Sequence, residues 1–338
     1  MPERIDRNII RPSLELLITK IAEYLEGKRV FRSVSQAQAV PVANSMAAWV
    51  KSGEPGTPPV HSDAALRASI YNQSMCAQQL IAFCSVSRLA CYEHSKIALH
   101  AIDDGFALVP LSLIRGLIER AALAENVRSK LSEEWLEEAK KRGFHEVLYE
   151  TKIVETIGKS LYGTRVDWQE LAQSDFANSK HRELEYKPKE QFLDVSAGQV
   201  LSHIDKLSKR VPGCRLAYDV LCEFLHPNVG DLFATTTQSS SNFDAWGTRH
   251  LKREFTIGRH DFSGALDMVE CMRKTLEVTR SVIELLPEIF SELDKGSEEI
   301  SRMNRKSMHR VTKRQKHLFR GNDWCPCLSG LTVKNCRF

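Results

Sequence analysis

No apolar run in the chain approaches the roughly 20 residues needed to span a bilayer, and the start, MPERIDRNIIRPS, carries charge where a secretion signal has its apolar stretch. A membrane bundle is excluded by the first absence, and a cytoplasmic location is expected from the second. No glycine-rich phosphate loop follows a strand pattern and no HExxH occurs, so the common nucleotide-binding and zinc-protease chemistries have no footing. No segment repeats at a fixed period. Strand-like alternation is rare, while apolar residues recur three and four apart, so the expected class is all-α, a multi-helix bundle with a small C-terminal tail. With 338 residues, 42% of them apolar and 27% charged, the composition is that of a globular protein rather than a disordered or collagen-like one.

The spacing predicts a first helix from a Ser13 cap to about Gly27, with Leu14, Leu17, Ile18, Ile21 and Leu25 on one face. Residues 28 to 61 read as linker with a short helix near Ala43 to Lys51, which sets a boundary between an N-terminal segment (1–61) and a helical domain (62–296). A long helix is expected from Asp63 to about Asp104, with Leu66, Ile70, Ala77, Leu80, Ile81, Cys84 and Cys91 as its core stripe. Another opens near Pro110, whose missing N–H costs nothing in a first turn. A capped start is expected at Ser132, a helix between Gly143 and Gly163, and an exposed connection over 179–194. PGCRLAYDVLCEFLHPN reads as a helix stopped by Pro227, Asn228 to Gly247 as an exposed loop, and Thr248 to His260 as a short hairpin. The last body helix is expected from about Asp261 to Leu293, with a kink at Pro287. A basic linker (297–320) and a tail (321–338) follow.

Charge is unevenly spread. Residues 302 to 338 hold ten Lys and Arg against one acid, +9, which leaves −5 for the other 301 residues. Within the linker, Arg302, Arg305, Lys306, Arg310, Lys313, Arg314, Lys316 and Arg320 stand with no acid from Ser301 to Arg320. Such a run is either a solvated connection or a set of phosphate contacts for RNA, favoured by counterion release. Phe319 and Trp324 are the nearest aromatics, too few for specific base stacking.

Six of the nine cysteines lie scattered in apolar helical patterns, where Cys acts as a small hydrophobe. The other three form a pattern: Cys325-x-Cys327, then Cys336 after eight residues. Two thiolates from one tight turn and a third from a short returning loop can grip one metal ion, for which zinc is the natural guest. The run GNDWCPCLSGLTVKNC resembles the SEC-C motif, a small zinc-binding module, in Asn322, Asp323, Cys325, Pro326, Cys327, Ser329, Gly330, Lys334 and Cys336. That family follows the third Cys at once with Cys or His, and here Arg337 stands there. Trp324 replaces its Pro and Leu328 its Gly. The resemblance implies one structural zinc held by Cys325, Cys327 and Cys336. His317, His309, the terminal carboxylate of Phe338 or a water are left as candidates for the fourth place. It also implies a role in docking a protein or ribonucleoprotein partner rather than in catalysis.

In the helical body, Arg115 and Glu119 lie four apart and Glu223 and His226 three apart, each pair on one helical face. They are either surface pairs or a polar pocket in which Arg115 holds an anion and His226 acts as acid or base. The arrangement is similar to the HEPN-like helical domains of toxin, stress and phage-defence systems, which implies as an alternative function a ribonuclease with four to six residues between its Arg and His. Arg88 and His94 have five between them, although Leu89 follows the Arg where that family places a polar residue. Arg253 and His260, Arg302 and His309, and Arg310 and His317 have six. Glu223-x-x-His226 also has di-iron spacing, but no second pair accompanies it.

Overall fold

The computed structural model describes residues 7–26, 52, 63–106, 108–142, 153–163, 168–174, 199–226, 236–255, 266–314 and 317–336. The linker expected over 28–61, apart from residue 52, the connection over 179–194, Leu66 as a core side chain, Arg337 and Phe338 lie outside them. The described chain is predominantly helical: α1 (Arg11–Leu25), α2 (Asp63–Asp103), α3 (Leu108–Ser129), α4 (Leu136–Arg142), α5 (Ile153–Tyr162), α6 (Trp168–Gln173), α7 (Val200–Leu207), α8 (Cys214–Leu225), a hairpin of β1 (Thr236–Phe243) and β2 (Arg249–Phe255), and α9 (Leu266–Arg314). No described helix is long and apolar enough to cross a membrane.

Several boundaries differ from expectation, each for a local reason. Ser13 is not a cap: α1 begins two residues earlier with Pro12 in its first turn, and the buried Ser13 hydroxyl donates instead to Glu284 Oε1 at 2.8 Å. The helix expected to start at Ser132 is a continuation, because α3 runs through a π turn, Lys130–Trp135, directly into α4. That turn buries Leu131 and Trp135 completely. The Ser and Thr stretch read as a loop forms β1, paired antiparallel with β2 and shifted in register between Gln238 and Ser240. Asp244 closes the hairpin by accepting the N–H groups of Trp246 (2.9 Å) and Thr248 (2.8 Å). The end of α2 follows the sequence: Gly105 adopts φ +76°, Phe106 N–H reaches back to the carbonyl of Ala101 and Gly105 N–H to that of Ile102.

The largest difference is α9, which passes Leu293 and continues for another 21 residues to Arg314. The boundary expected at 296 falls inside it, and most of the basic linker is helix. Helix propensity favours this, since Arg, Lys, Met and Glu dominate residues 298–314. Pro287 is accommodated within the helix.

The residues group into two compact units, and α2, α3 and α9 contribute to both. One unit gathers α1, α2 from Val86, α3 to Asn126, α7, α8, the hairpin and α9 to Phe290. Its core includes Leu14, Leu17 and Ile21 from α1, Leu117 and Ile118 from α3, Leu221 from α8, and Ile283 and Leu286 from α9. Arg210 ties its helices electrostatically, reaching the buried Glu125 at 2.9 Å and Glu288 at 2.6 Å. The other unit gathers α2 to Ser85, α3 from Val127, the π turn, α4 to α6, and α9 from Ser291 with the tail. Here Arg128 pairs with Glu292 at 2.9 Å and with Glu133 at 3.0 Å.

Candidate metal centre

The tail is a turn-built knuckle rather than a frayed end. Cys325 N–H donates to the carbonyl of Leu331 (2.8 Å), Val333 N–H to that of Asp323 (2.9 Å), Lys334 N–H to that of Gly321 (3.0 Å) and Cys336 N–H to that of Thr332 (2.9 Å). Cys325, Pro326, Cys327 and Leu328 form a tight turn closed by Leu328 N–H to the Cys325 carbonyl at 3.0 Å. Leu328 pays for it with φ +58°, in the left-handed region, and Gly330 follows at φ +87°. These turns bring the three sulfurs within 4.8 Å of one another, with Cys327 Sγ and Cys336 Sγ 3.5 Å apart. All three cysteines are buried. Three thiols this close share their protons unequally. Hydrogen bonding from Cys325, then from Ser329 and Cys336, pulls the Cys327 thiol down to about 5, whereas Cys325 rises because it keeps the proton that Cys327 gives up. Burial raises Cys336. The cluster therefore holds one thiolate readily, and a metal ion would displace the remaining protons.

The knuckle is seated on its own unit. Ile70, Met308, Leu318 and Phe319 form one buried cluster with the three cysteines, and Tyr71 and Val333 pack against it. One face of α2 supplies polar clasps at positions 67, 71 and 74. Arg67 pairs with Asp323 at 3.3 Å, and Asp323 also accepts the N–H of Arg320 at 2.8 Å. Tyr71 donates to the Trp324 carbonyl at 2.5 Å and meets Phe319 edge to face at 5.8 Å. Ser74, buried, donates to the Pro326 carbonyl. None of these α2 residues was expected at the site. The apolar stripe marked Ile70, but nothing in the spacing told which later segment would cover it.

Of the fourth-ligand candidates, His309 lines a cavity of about 200 Å³ together with Thr312, Lys313, Phe319, Cys325, Val333 and Cys336. His317 is exposed, its Nε2 3.9 Å from Asp63 Oδ1.

In the other unit, Arg115 and Glu119 do meet, Nε to Oε1 at 3.1 Å. The partner that α8 sends to them is Tyr218, whose hydroxyl donates to Glu119 at 2.9 Å and whose ring lies under the Arg115 guanidinium at 5.3 Å. Burial, with Glu119 beside it, pushes Tyr218 up to about 12. Glu223 and His226 stand at exposed positions toward the end of α8. Arg88 is buried: it donates to the Phe290 carbonyl at 3.0 Å and stacks on Tyr24 at 3.8 Å and Phe290 at 4.7 Å. His94 packs its ring edge on Gly116, where an added Cβ would lie 2.8 Å from Cε1.

Among known proteins, no family model, curated protein or solved structure matches the chain.

Proposed function

We propose that this is a cytoplasmic interaction protein whose C-terminal knuckle holds one structural zinc ion and docks an RNA-bearing partner. The observation that carries the reading is the cluster of three buried sulfurs on a folded, seated knuckle. Zinc fits the donor set: Zn–S bonds of about 2.3 Å in a tetrahedron separate the sulfurs by roughly 3.8 Å, within the spread observed. Bound there, the ion would cross-link the turn at Cys325 and Cys327 to the loop end at Cys336.

Two features support docking. The outer side of the knuckle exposes Trp324 (62%) and Leu331 (48%), adjacent through the Cys325 to Leu331 hydrogen bond. The last turns of α9 expose Lys306, Arg310, Lys313 and Arg314, and among the described residues no carboxylate pairs with them. An exposed aromatic and a cationic helix end suit a surface that carries phosphates. The ribonuclease alternative draws less support, because the Arg88 guanidinium is committed to a main-chain carbonyl and two rings.

Elemental analysis of zinc-replete protein tests the metal: about one zinc per chain is expected in the wild type and none in Cys325→Ser. RNA association measured against salt tests the partner. Replacing Lys306, Arg310 and Arg314 by Gln should reduce the slope of log K on log salt by about 0.7 for each single-strand phosphate that α9 no longer neutralises. An unchanged slope would remove the helix from the interface.

A further inference from the structure

We propose that His309 is the fourth ligand of the metal centre, so that the ion closes the knuckle onto α9. This rests on the metal reading above and adds to it a ligand from outside the knuckle.

The three cysteines leave one corner of a tetrahedron open, and the residue after Cys336 cannot fill it: a guanidinium such as that of Arg337 has no lone pair to give. A cavity lies beside the sulfurs. Cys325 and Cys336 line it from the knuckle, and His309, Thr312 and Lys313 line it from α9. The helix period accounts for that face, since positions 309, 312 and 313 recur at three and four residues. The preceding residue, Met308, is fully buried in the same cluster as the three sulfurs, which anchors this turn of α9 against the knuckle. His309 is the imidazole among the cavity's lining residues; its ring nitrogens stand outside the 4.8 Å grouping of the three sulfurs, so ligation requires its side chain to turn toward them.

Other groups near the cavity are placed less well for the open corner. The Asp323 carboxylate serves Arg67 and the Arg320 N–H. Thr312 Oγ1 donates to the Met308 carbonyl at 2.7 Å. His317 is exposed beside Asp63 and does not line the cavity. Charge also balances: three thiolates and a dication sum to minus one, a neutral imidazole leaves that unchanged, and the Lys313 ammonium lining the same cavity offsets it. With four protein ligands the site is closed and structural; with three it would keep a place for water, as catalytic zinc sites do.

Zinc K-edge absorption on the full-length protein reads the ligands directly. The wild type should show three sulfurs and one nitrogen, with the outer-shell scattering of an imidazole. His309→Ala should lose that scattering and hold zinc more than about tenfold more weakly in chelator competition, while His317→Ala keeps both. His309→Cys, which preserves a donor if His309→Ala fails to fold, should convert the shell to four sulfurs. Imidazole scattering that survives in His309→Ala, a wild-type shell of three sulfurs and one oxygen, or a His309→Cys shell with fewer than four sulfurs would overturn the assignment. A wild type that binds no more zinc than Cys325→Ser would overturn the metal centre itself, a result separate from any of these.

Discussion

Ser74, in the first third of α2, donates its hydroxyl to the main-chain carbonyl of Pro326, 252 residues further along the chain. That carbonyl belongs to the turn between two candidate ligands, so one buried hydrogen bond sets the position of the metal turn on the helix. Asn304 Oδ1 lies 3.2 Å from the same hydroxyl oxygen, which has only one proton to give, so an overturned Asn304 amide would donate to Ser74 in return. Ser74→Ala leaves a buried carbonyl unsatisfied and is expected to cost about 1–3 kcal/mol. Urea unfolding followed at Trp324 measures it, and amide exchange over 321–336 should quicken more than exchange over α8.

Metal removal should act on the same seam. With the sulfurs unlinked, the knuckle retains its turns and the apolar packing of Phe319 and Leu318 but has no cross-link between Cys327 and Cys336. Chelation is expected to open residues 317–336 to protease while leaving α8 and α1 protected. A cleavage pattern identical with and without chelator would show that the knuckle folds without an ion.

Leu328 separates strain from packing. Its backbone sits at φ +58° while its side chain is buried at 5% exposure. Replacement by Ala removes the side chain and keeps the strain; replacement by Gly removes both. The left-handed conformation costs a non-glycine residue roughly 1–2 kcal/mol. Leu328→Gly should therefore be the more stable of the two variants by about 1 kcal/mol, read as a difference in denaturant midpoint at equal slope.

The tail shows what sequence patterns carry and what they omit. Cysteine spacing is local, so Cys325, Cys327 and Cys336 were legible as one cluster: a few turns of chain determine where those sulfurs lie. The seat was not legible, because Arg67, Tyr71 and Ser74 are ordinary residues on a helix face until a segment some 250 residues away covers them. The length of α9 was missed for another reason. Basic composition read as linker, yet Lys and Arg are good helix formers, and Ile300, Asn304 and Met308 carry a buried stripe through the run at four-residue spacing. The contact of Arg115 with Glu119 follows from their i, i+4 spacing, whereas the choice of Tyr218 over His226 as their partner depends on how α8 is rotated, which periodicity does not specify.

His94 supplies a test by pH. Its ring lies on Gly116, its Nδ1 is buried with no hydrogen-bond partner among the described residues, and burial, then the positive charge of Arg120, lowers its pKa against the opposing pull of Glu93 and Glu119. The folded chain thus disfavours the imidazolium, while the unfolded chain takes up the proton near the ordinary value of about 6.5. Below that value the unfolded state binds more protons, so stability is complete above pH 6.5 and declines as pH falls toward the lower folded pKa. Urea midpoints between pH 7 and pH 5.5, a window above most carboxylate titrations, should drop in the wild type and drop less in His94→Gln. Gly116→Ala, which forces the ring off its seat, should also flatten the dependence by letting water reach the imidazole. It trades a gain in helix propensity of about 1 kcal/mol against an overpacking cost of about 1–3 kcal/mol. A slope that is the same in all three proteins would place the acid sensitivity elsewhere.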